Sequence, residues 1–264
     1  MENTVSNSKI DVSSLLDHYS LTYLNQYWPE HPGTLASWSD NVVLMLAYQE
    51  AGLAIRDYYN NREVSVLDIS TGPALTPLLG MISCVSEVQL SDFVPDNRRC
   101  LVEMPIEYWR NYVPMLVKLF KKPEKFTDDI LSRLDYLRSA KPPVEVDLFK
   151  ENPFPSSIDP HSFECISMHF VADGITKNEA EYLRCLGRAT DMVRKGATFV
   201  MSATVDCNGW FMGDIELPSP NVSEDTIVDF LKSQGMNILT LSRSIRHPGL
   251  TYTGGWISLA ASKL

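Results

Sequence analysis

Three aspartates stand at the ends of short apolar runs, and their spacing suits the binding of a nucleoside. Asp68, Asp92 and Asp147 each lie at or near the end of a run rich in β-branched residues. If these runs are strands of an open α/β sheet, ligands bind beyond their carboxyl ends. An acidic side chain about 20 residues after a glycine turn can accept both hydroxyls of a ribose. The pattern therefore predicts a nucleoside site.

The turn after the first run, SerThrGlyPro at 70–73, limits the kind of nucleoside. Gly72 has no Cβ, so a ligand can approach its backbone closely. The turn lacks the GxGxxG spacing that holds a pyrophosphate. An adenosine ligand without phosphates is S-adenosylmethionine, with Asp92 on its ribose and Asp147 accepting from the adenine amino group. Taken singly, each residue also fits an ordinary strand end or turn.

The elements that must position these residues alternate along the chain. Apolar runs at 64–69, 87–93, 144–148, 163–168 and 197–202 predict strands, with helical patterns between most of them. Two further strands, at 238–243 and 255–260, have no helix between them and predict an antiparallel edge hairpin. The fold class is α/β, a doubly wound and mostly parallel sheet of seven strands.

Composition excludes several classes of protein. The 264 residues are 44% hydrophobic, which is too apolar for a disordered chain, and their net charge of −10 disfavours a nucleic-acid partner. Five cysteines without CxxC spacing indicate neither a disulfide framework nor a metal site. No run is long and apolar enough for a membrane span, and residues 1–11 carry no signal sequence. We expect a cytoplasmic monomer acting on a small molecule, without metal or membrane.

Residues 1–61 predict an N-terminal helical lid, and residues 62–264 predict a Rossmann-like catalytic domain that binds S-adenosylmethionine. Helical spacing recurs in both halves of the lid, and Pro29, Pro32 and Gly33 interrupt it. Tyr23 and Tyr27 flank this break, where their ring faces could stabilise a sulfonium cation by about 0.5–2 kcal/mol.

Several segments resemble one methyltransferase family. VLDISTGP at 66–73 and LSDFVPDN at 90–97 are the most specific, and YLNQY at 23–27, WFMG at 210–213 and GWISLAASKL at 255–264 support them. They resemble the nicotinamide, phenylethanolamine and indolethylamine N-methyltransferases and the thioether S-methyltransferases. That family has the class I S-adenosylmethionine-dependent methyltransferase fold.

The resemblance implies a role for each residue of the cofactor site. Asp92 and Asn97 bind the ribose, and Asp147 binds the adenine amino group. Thr71, Gly72 and Tyr27 hold the methionine end, Tyr23 lies near the sulfonium, and His169 lies beside the methionine amine. The predicted catalytic residues are Tyr23, Tyr27 and His169. The predicted cofactor-binding residues are Tyr27, Asp68, Thr71, Gly72, Pro73, Asp92, Phe93, Asn97, Asp147, Leu148, His169 and Phe170.

The predicted substrate pocket, formed by Tyr23, Thr204, Trp210 and Phe211, departs from the family pattern. Thr204 stands where many amine methylators have an acid. Two reactions therefore remain open. Methyl transfer to an amine or similar nucleophile yields S-adenosylhomocysteine. Cyclisation of the cofactor to azetidine-2-carboxylate, as in some bacterial relatives of this fold, yields methylthioadenosine. A binding protein that has lost its chemistry is a third interpretation.

Overall fold

A computed structural model describes residues 19–27, 39–114, 116, 126–212, 215–244 and 254–264. The strands are β1 (Val64–Ile69), β2 (Val85–Leu90), β3 (Cys165–His169), β4 (Thr198–Val205), β5 (Gly209–Met212), β6 (Ile215–Pro218), β7 (Met236–Arg243) and β8 (Gly255–Lys263). The helices are α1 (Tyr19–Tyr27), α2 (Ser39–Tyr58), α3 (Thr76–Met81), α4 (Pro95–Glu103), α5 (Phe126–Ser139), α6 (Ala172–Ile175), α7 (Glu179–Asp191) and α8 (Glu224–Ser233).

Six strands form one sheet in the order β2-β1-β3-β4-β8-β7. The first four are parallel, whereas β8 pairs antiparallel with both β4 and β7. The chain leaves β1 for β2 on one side and returns to β3 on the other, so the strand order reverses between β1 and β3. Ligands of doubly wound sheets bind at this switch point. The predicted α/β class and the antiparallel edge hairpin are confirmed.

Two predicted details of the strands differ from the structure. The segment 144–148 forms no strand, and only Val144 makes a parallel bridge, to Ser91. Three residues further on, Asp147 caps a turn by accepting a hydrogen bond from the Phe149 backbone N–H. The hairpin of β5 and β6 was not predicted, since its strands are only four residues each and lie outside the main sheet.

The hydrophobic core lies on the two faces of this sheet. On one face, Val66, Val200 and Ala260 are buried together with Tyr48 and Ile55 of α2. On the other face, the buried residues of α7 and α8 pack with those of β3, β4 and β8. Alternate residues of a strand point to opposite faces, so the nearly continuous burial of β4 follows from coverage on both sides.

Side-chain caps set where α7 and α8 begin. Asn178 accepts the backbone N–H of Glu181, and Ser223 accepts that of Thr226, as the sequence predicted for α8. Helices α1 and α2 fall within the predicted lid. Residues 1–18 and 28–38 of that lid lie outside the described chain, and the division at residue 61 stays a prediction.

Candidate active site

Asp92 lies just after β2, and its carboxylate is held from three sides. Oδ2 accepts the Gly72 backbone N–H at 2.7 Å, and Oδ1 accepts the Val94 N–H at 2.8 Å and the Asn97 amide at 3.0 Å. Burial raises the pKa of this carboxyl, and the three donors oppose that shift. The arrangement fixes the direction of the carboxylate, and its remaining lone pairs can accept ligand hydroxyls.

The glycine turn is open to a ligand. Gly72 has φ +65°, and no heavy atom of the described chain lies within 4 Å of the position that a Cβ would take. The Thr71 backbone N–H donates to the Ser91 carbonyl at 2.7 Å, which ties the turn to the end of β2. Ser70 before it has φ +52°, a conformation that is uncommon for non-glycine residues.

Asn97 joins the site to helix α1. Its side chain is buried, donates to Asp92 and accepts the Ser20 hydroxyl at 2.7 Å. The Asn97 amide thus links helix α1 of the predicted lid to Asp92, the residue predicted to bind the ribose.

Asp68 is buried near the end of β1, one strand away. It accepts hydrogen bonds from the hydroxyls of Ser167 and Thr71. Burial raises the pKa of Asp68 to about 6, an effect that the nearby Asp92 adds to and the two hydroxyls oppose. Sequence patterns did not indicate Ser167, which lies in the middle of a buried strand.

Three residues predicted to bind the adenine, Phe93, Asp147 and Leu148, follow Ser91 and Val144, which form an isolated β-bridge. Asp147 Oδ1 accepts the Phe149 N–H at 2.9 Å, so this carboxylate also performs the turn-capping role that its sequence allows. Phe93 is 52% exposed, which leaves its ring free to stack on a base, whereas Leu148 is 2% exposed and belongs to the core. Arg188 of α7 donates to the Leu148 carbonyl and holds this loop against the domain.

His169 ends β3 and is held against two residues that sequence analysis missed. Its Nδ1 lies 3.1 Å from the Ser202 hydroxyl, and its ring meets the edge of Tyr48 at 4.8 Å between centroids. Burial lowers the pKa of His169 to about 3, so its imidazole is neutral at physiological pH. Its Nε2 is buried without a hydrogen-bond partner among the described residues. Phe170 follows with φ +55°.

Asp173 is hydrogen-bonded to Thr204 of the predicted substrate pocket. Asp173 Oδ2 accepts both the backbone N–H of Thr204 at 2.9 Å and its hydroxyl at 2.8 Å. Burial raises the pKa of Asp173 to about 6. The second oxygen, Oδ1, is buried and has no partner within the described chain. The sequence did not single out Asp173, because an aspartate between a strand and a helix is usually solvated.

Aromatic residues of the predicted lid and pocket lie beside these groups. Tyr23 of α1 is half-buried and interacts with the hydroxyl of Tyr48. Trp210 of β5 is half-buried near Gly174, and its indole N–H has no described acceptor. Strand β5 also contacts α1. Tyr27 ends α1 and Phe211 lies in β5, but the side chains of both fall outside the described part.

The described residues contain neither a cluster of three or more metal-ligating side chains nor a helix long and apolar enough to cross a bilayer. The cysteines are free thiols, and all but the half-buried Cys100 are buried.

The fold is that of the class I methyltransferases. The sequence profile of the NNMT/PNMT/TEMT family matches residues 9–264. The chain belongs to this family, which confirms the resemblance predicted from residues 66–73 and 90–97.

Individual relatives are distant. Human phenylethanolamine N-methyltransferase is 23% identical over 197 residues, which cover 72% of this chain and 68% of that protein. Magnesium protoporphyrin IX methyltransferase from Synechocystis PCC 6803, solved with S-adenosylhomocysteine, has a TM-score of 0.56 at 10% identity, covering 96% of this chain and all of that one. Burkholderia thailandensis 1,6-didemethyltoxoflavin-N1-methyltransferase has a TM-score of 0.51 at 14% identity, covering 96% and 88%.

Proposed function

We propose that this protein binds S-adenosylmethionine and transfers its methyl group to a small amine or similar nucleophile. The observation that carries the proposal is the Asp92 carboxylate, oriented by Gly72, Val94 and Asn97 at the switch point of the sheet. A carboxylate in this position suits the two hydroxyls of a ribose. The exposed Phe93 ring and the Asp147 carboxylate on the same side suit an adenine.

The methionine end fits the space beyond β1 and β3. Gly72 leaves room for the methionine moiety of the cofactor, and neutral His169 offers a hydrogen-bond acceptor for its ammonium group. When bound, S-adenosylmethionine supplies a methyl group that its sulfonium has already activated. Tyr23 lies where its ring can face such a cation, an attraction of about 0.5–2 kcal/mol.

Asp173 forms the part of the site where the methyl acceptor would bind. Its buried Oδ1 has a free lone pair, and an unpaired buried acceptor costs about 1–3 kcal/mol until a donor reaches it. An amine N–H is such a donor, so Asp173 can take over the role that an acid at position 204 plays in related amine methylators. Thr204 fixes Asp173 through Oδ2 and keeps Oδ1 directed away from it.

The residues then need to align and desolvate the nucleophile rather than activate the donor. Asp173 holds the amine by an N–H and accepts its surplus proton. The amine lone pair forms the new N–CH₃ bond, and the electron pair of the broken S–CH₃ bond stays on sulfur, which gives neutral S-adenosylhomocysteine.

Mass spectrometry after incubation with S-adenosylmethionine tests the proposal. Phenylethanolamine and simple primary amines serve as probe acceptors, alongside a sample without acceptor. We expect S-adenosylhomocysteine and a methylated amine only when an acceptor is present. Methylthioadenosine with a cyclic amino acid, formed without acceptor, would instead establish the cyclisation reaction.

Replacing Asp173 by asparagine tests the acceptor site. The Asp173→Asn variant cannot accept the amine proton, so kcat/KM for the amine falls by at least about tenfold, the effect of losing a hydrogen bond to a charged group. Affinity for S-adenosylmethionine by calorimetry stays unchanged. Asp191→Asn, at the exposed end of α7, is the matched control. Equal losses in both variants would contradict the assignment.

A further inference from the structure

Helix α2 places one buried tyrosine at the centre of the candidate site. Tyr48 is 1% exposed, although its hydroxyl is polar and its helix packs mostly apolar residues on the sheet. Gly80 of α3 makes this position possible, because a Cβ there would lie 2.4 Å from the Tyr48 Cβ. The backbone of α3 thus closes directly over the tyrosine and fixes its place.

The Tyr48 hydroxyl connects several groups of the site. It lies close to the Ser202 side chain and within electrostatic reach of Tyr23, Asp68 and Asp173. Burial raises the pKa of Tyr48 well above its usual value, and the two carboxylates add to this, so the phenol keeps its proton. Because the phenol keeps its proton, its oxygen can accept a hydrogen bond from the Ser202 hydroxyl.

The direction of a hydrogen bond between Ser202 and Tyr48 determines which nitrogen of His169 carries the proton. Ser202 has a single O–H, and when that O–H is given to Tyr48 its oxygen can only accept from the imidazole. His169 Nδ1, 3.1 Å away, must then carry the proton. The other nitrogen, Nε2, keeps a bare lone pair, consistent with its burial without a partner in the described chain. A buried unpaired acceptor is also more common than an unpaired N–H donor.

We propose that Tyr48 and Ser202 form a clamp that fixes His169 as the Nδ1–H tautomer, so that Nε2 accepts a hydrogen bond from the ammonium group of the bound methionine moiety. The edge of the Tyr48 ring fixes the plane of the imidazole, and Ser202 fixes its tautomer. Tyr48 and Ser202 are therefore positioning residues, and His169 is the residue that touches the ligand. This inference rests on the proposed binding of S-adenosylmethionine.

The tautomer is tested first on the unliganded protein, by NMR of ¹⁵N-histidine-labelled samples. The His169 signals are assigned by their absence from His169→Gln. In wild type we expect Nδ1 to be protonated and Nε2 unprotonated. Tyr48→Phe keeps the ring but loses the hydroxyl, and Ser202→Ala loses the acceptor, so both shift the signals toward the Nε2–H tautomer.

Ser258→Ala is the matched control for this measurement. Ser258 pairs with Ser202 across β4 and β8, is equally buried, and its hydroxyl has no partner among the described residues. We expect its histidine spectrum to equal that of wild type. A wild-type His169 protonated on Nε2, or unchanged tautomers in Tyr48→Phe and Ser202→Ala, would overturn the clamp.

Calorimetry with two ligands tests the role of Nε2. S-adenosylmethionine carries the ammonium, and methylthioadenosine lacks it. Both clamp variants should bind S-adenosylmethionine at least about tenfold more weakly, the factor for one hydrogen bond to a charged group, and bind methylthioadenosine as wild type does. Equal changes for both ligands would indicate a structural defect and overturn the proposal. A wild-type protein that binds no S-adenosylmethionine would overturn the proposed function itself, independently of the tautomer.

Discussion

Several buried polar atoms near the proposed site lack hydrogen-bond partners among the described residues. His169 Nε2, Asp173 Oδ1 and the Trp210 indole N–H are all buried near the carboxyl end of β3 and unpaired within the described chain. Protein interiors seldom leave such groups unsatisfied, because each costs about 1–3 kcal/mol. Ser70 and Phe170, with positive φ, add backbone strain after the two strands that flank the switch point. The site is thus destabilised in ways that a ligand can relieve.

Burial of the Asp68 carboxyl also affects the stability of the protein, and this effect depends on pH. Its pKa is about 6 in the folded protein and near 3.9 when unfolded, so the folded state holds the proton more tightly. Wild type therefore loses stability as pH rises from about 4 to 6. Asparagine does not titrate, so the stability of Asp68→Asn relative to wild type rises by about 2–3 kcal/mol over this interval.

Denaturant unfolding at pH 4, 5, 6 and 7 measures this difference. Asp229→Asn, on the exposed face of α8, is the control and should show no comparable trend. A pH-independent difference between Asp68→Asn and wild type would show that Asp68 titrates normally in the folded state.

At the scale of elements, the sequence predicts what local chemistry determines. Strand β1 and the Gly72 turn are recognisable because apolar runs and glycine turns have local causes. Val144–Leu148 looked equally strand-like, but its pairing depends on a neighbour and ends at Val144. Tyr48 was indistinguishable from a core residue of α2, since Ser202, which lies beside its hydroxyl, is 154 residues away in the chain. Asp173 was missed because its partner Thr204 belongs to a different element, β4.

A hydrogen bond from Ser20 links helix α1 to Asn97 of the proposed ribose site. Ser20→Ala loses the bond to Asn97, which then holds Asp92 less firmly. We expect affinity for S-adenosylmethionine to fall about fivefold, as for one neutral hydrogen bond of about 1 kcal/mol, with little change in thermal stability. Asn25→Ala, on the exposed face of α1, is the control for helix propensity. Unchanged affinity in Ser20→Ala would mean that α1 and Asp92 are independent.

On the scale of the whole molecule, the net charge of −10 favours a cationic ligand over a polyanion. Most of the 33 acidic residues can only act at long range, through the field that they create together. S-adenosylmethionine carries one net positive charge, whereas S-adenosylhomocysteine carries none. The two molecules otherwise differ by a methyl group, so they form a matched pair for measuring that field.

Stopped-flow association of both ligands at low and high salt tests this steering. Screening lengths fall from about 30 Å at 0.01 M to about 3 Å at 1 M salt, which removes the long-range part of the attraction. The association rate constant of S-adenosylmethionine should then fall several-fold, and that of S-adenosylhomocysteine should hardly change. Equal salt dependence of the two ligands would show that the acidic surface does not guide the cofactor, and that local contacts at Asp92 and His169 alone select it.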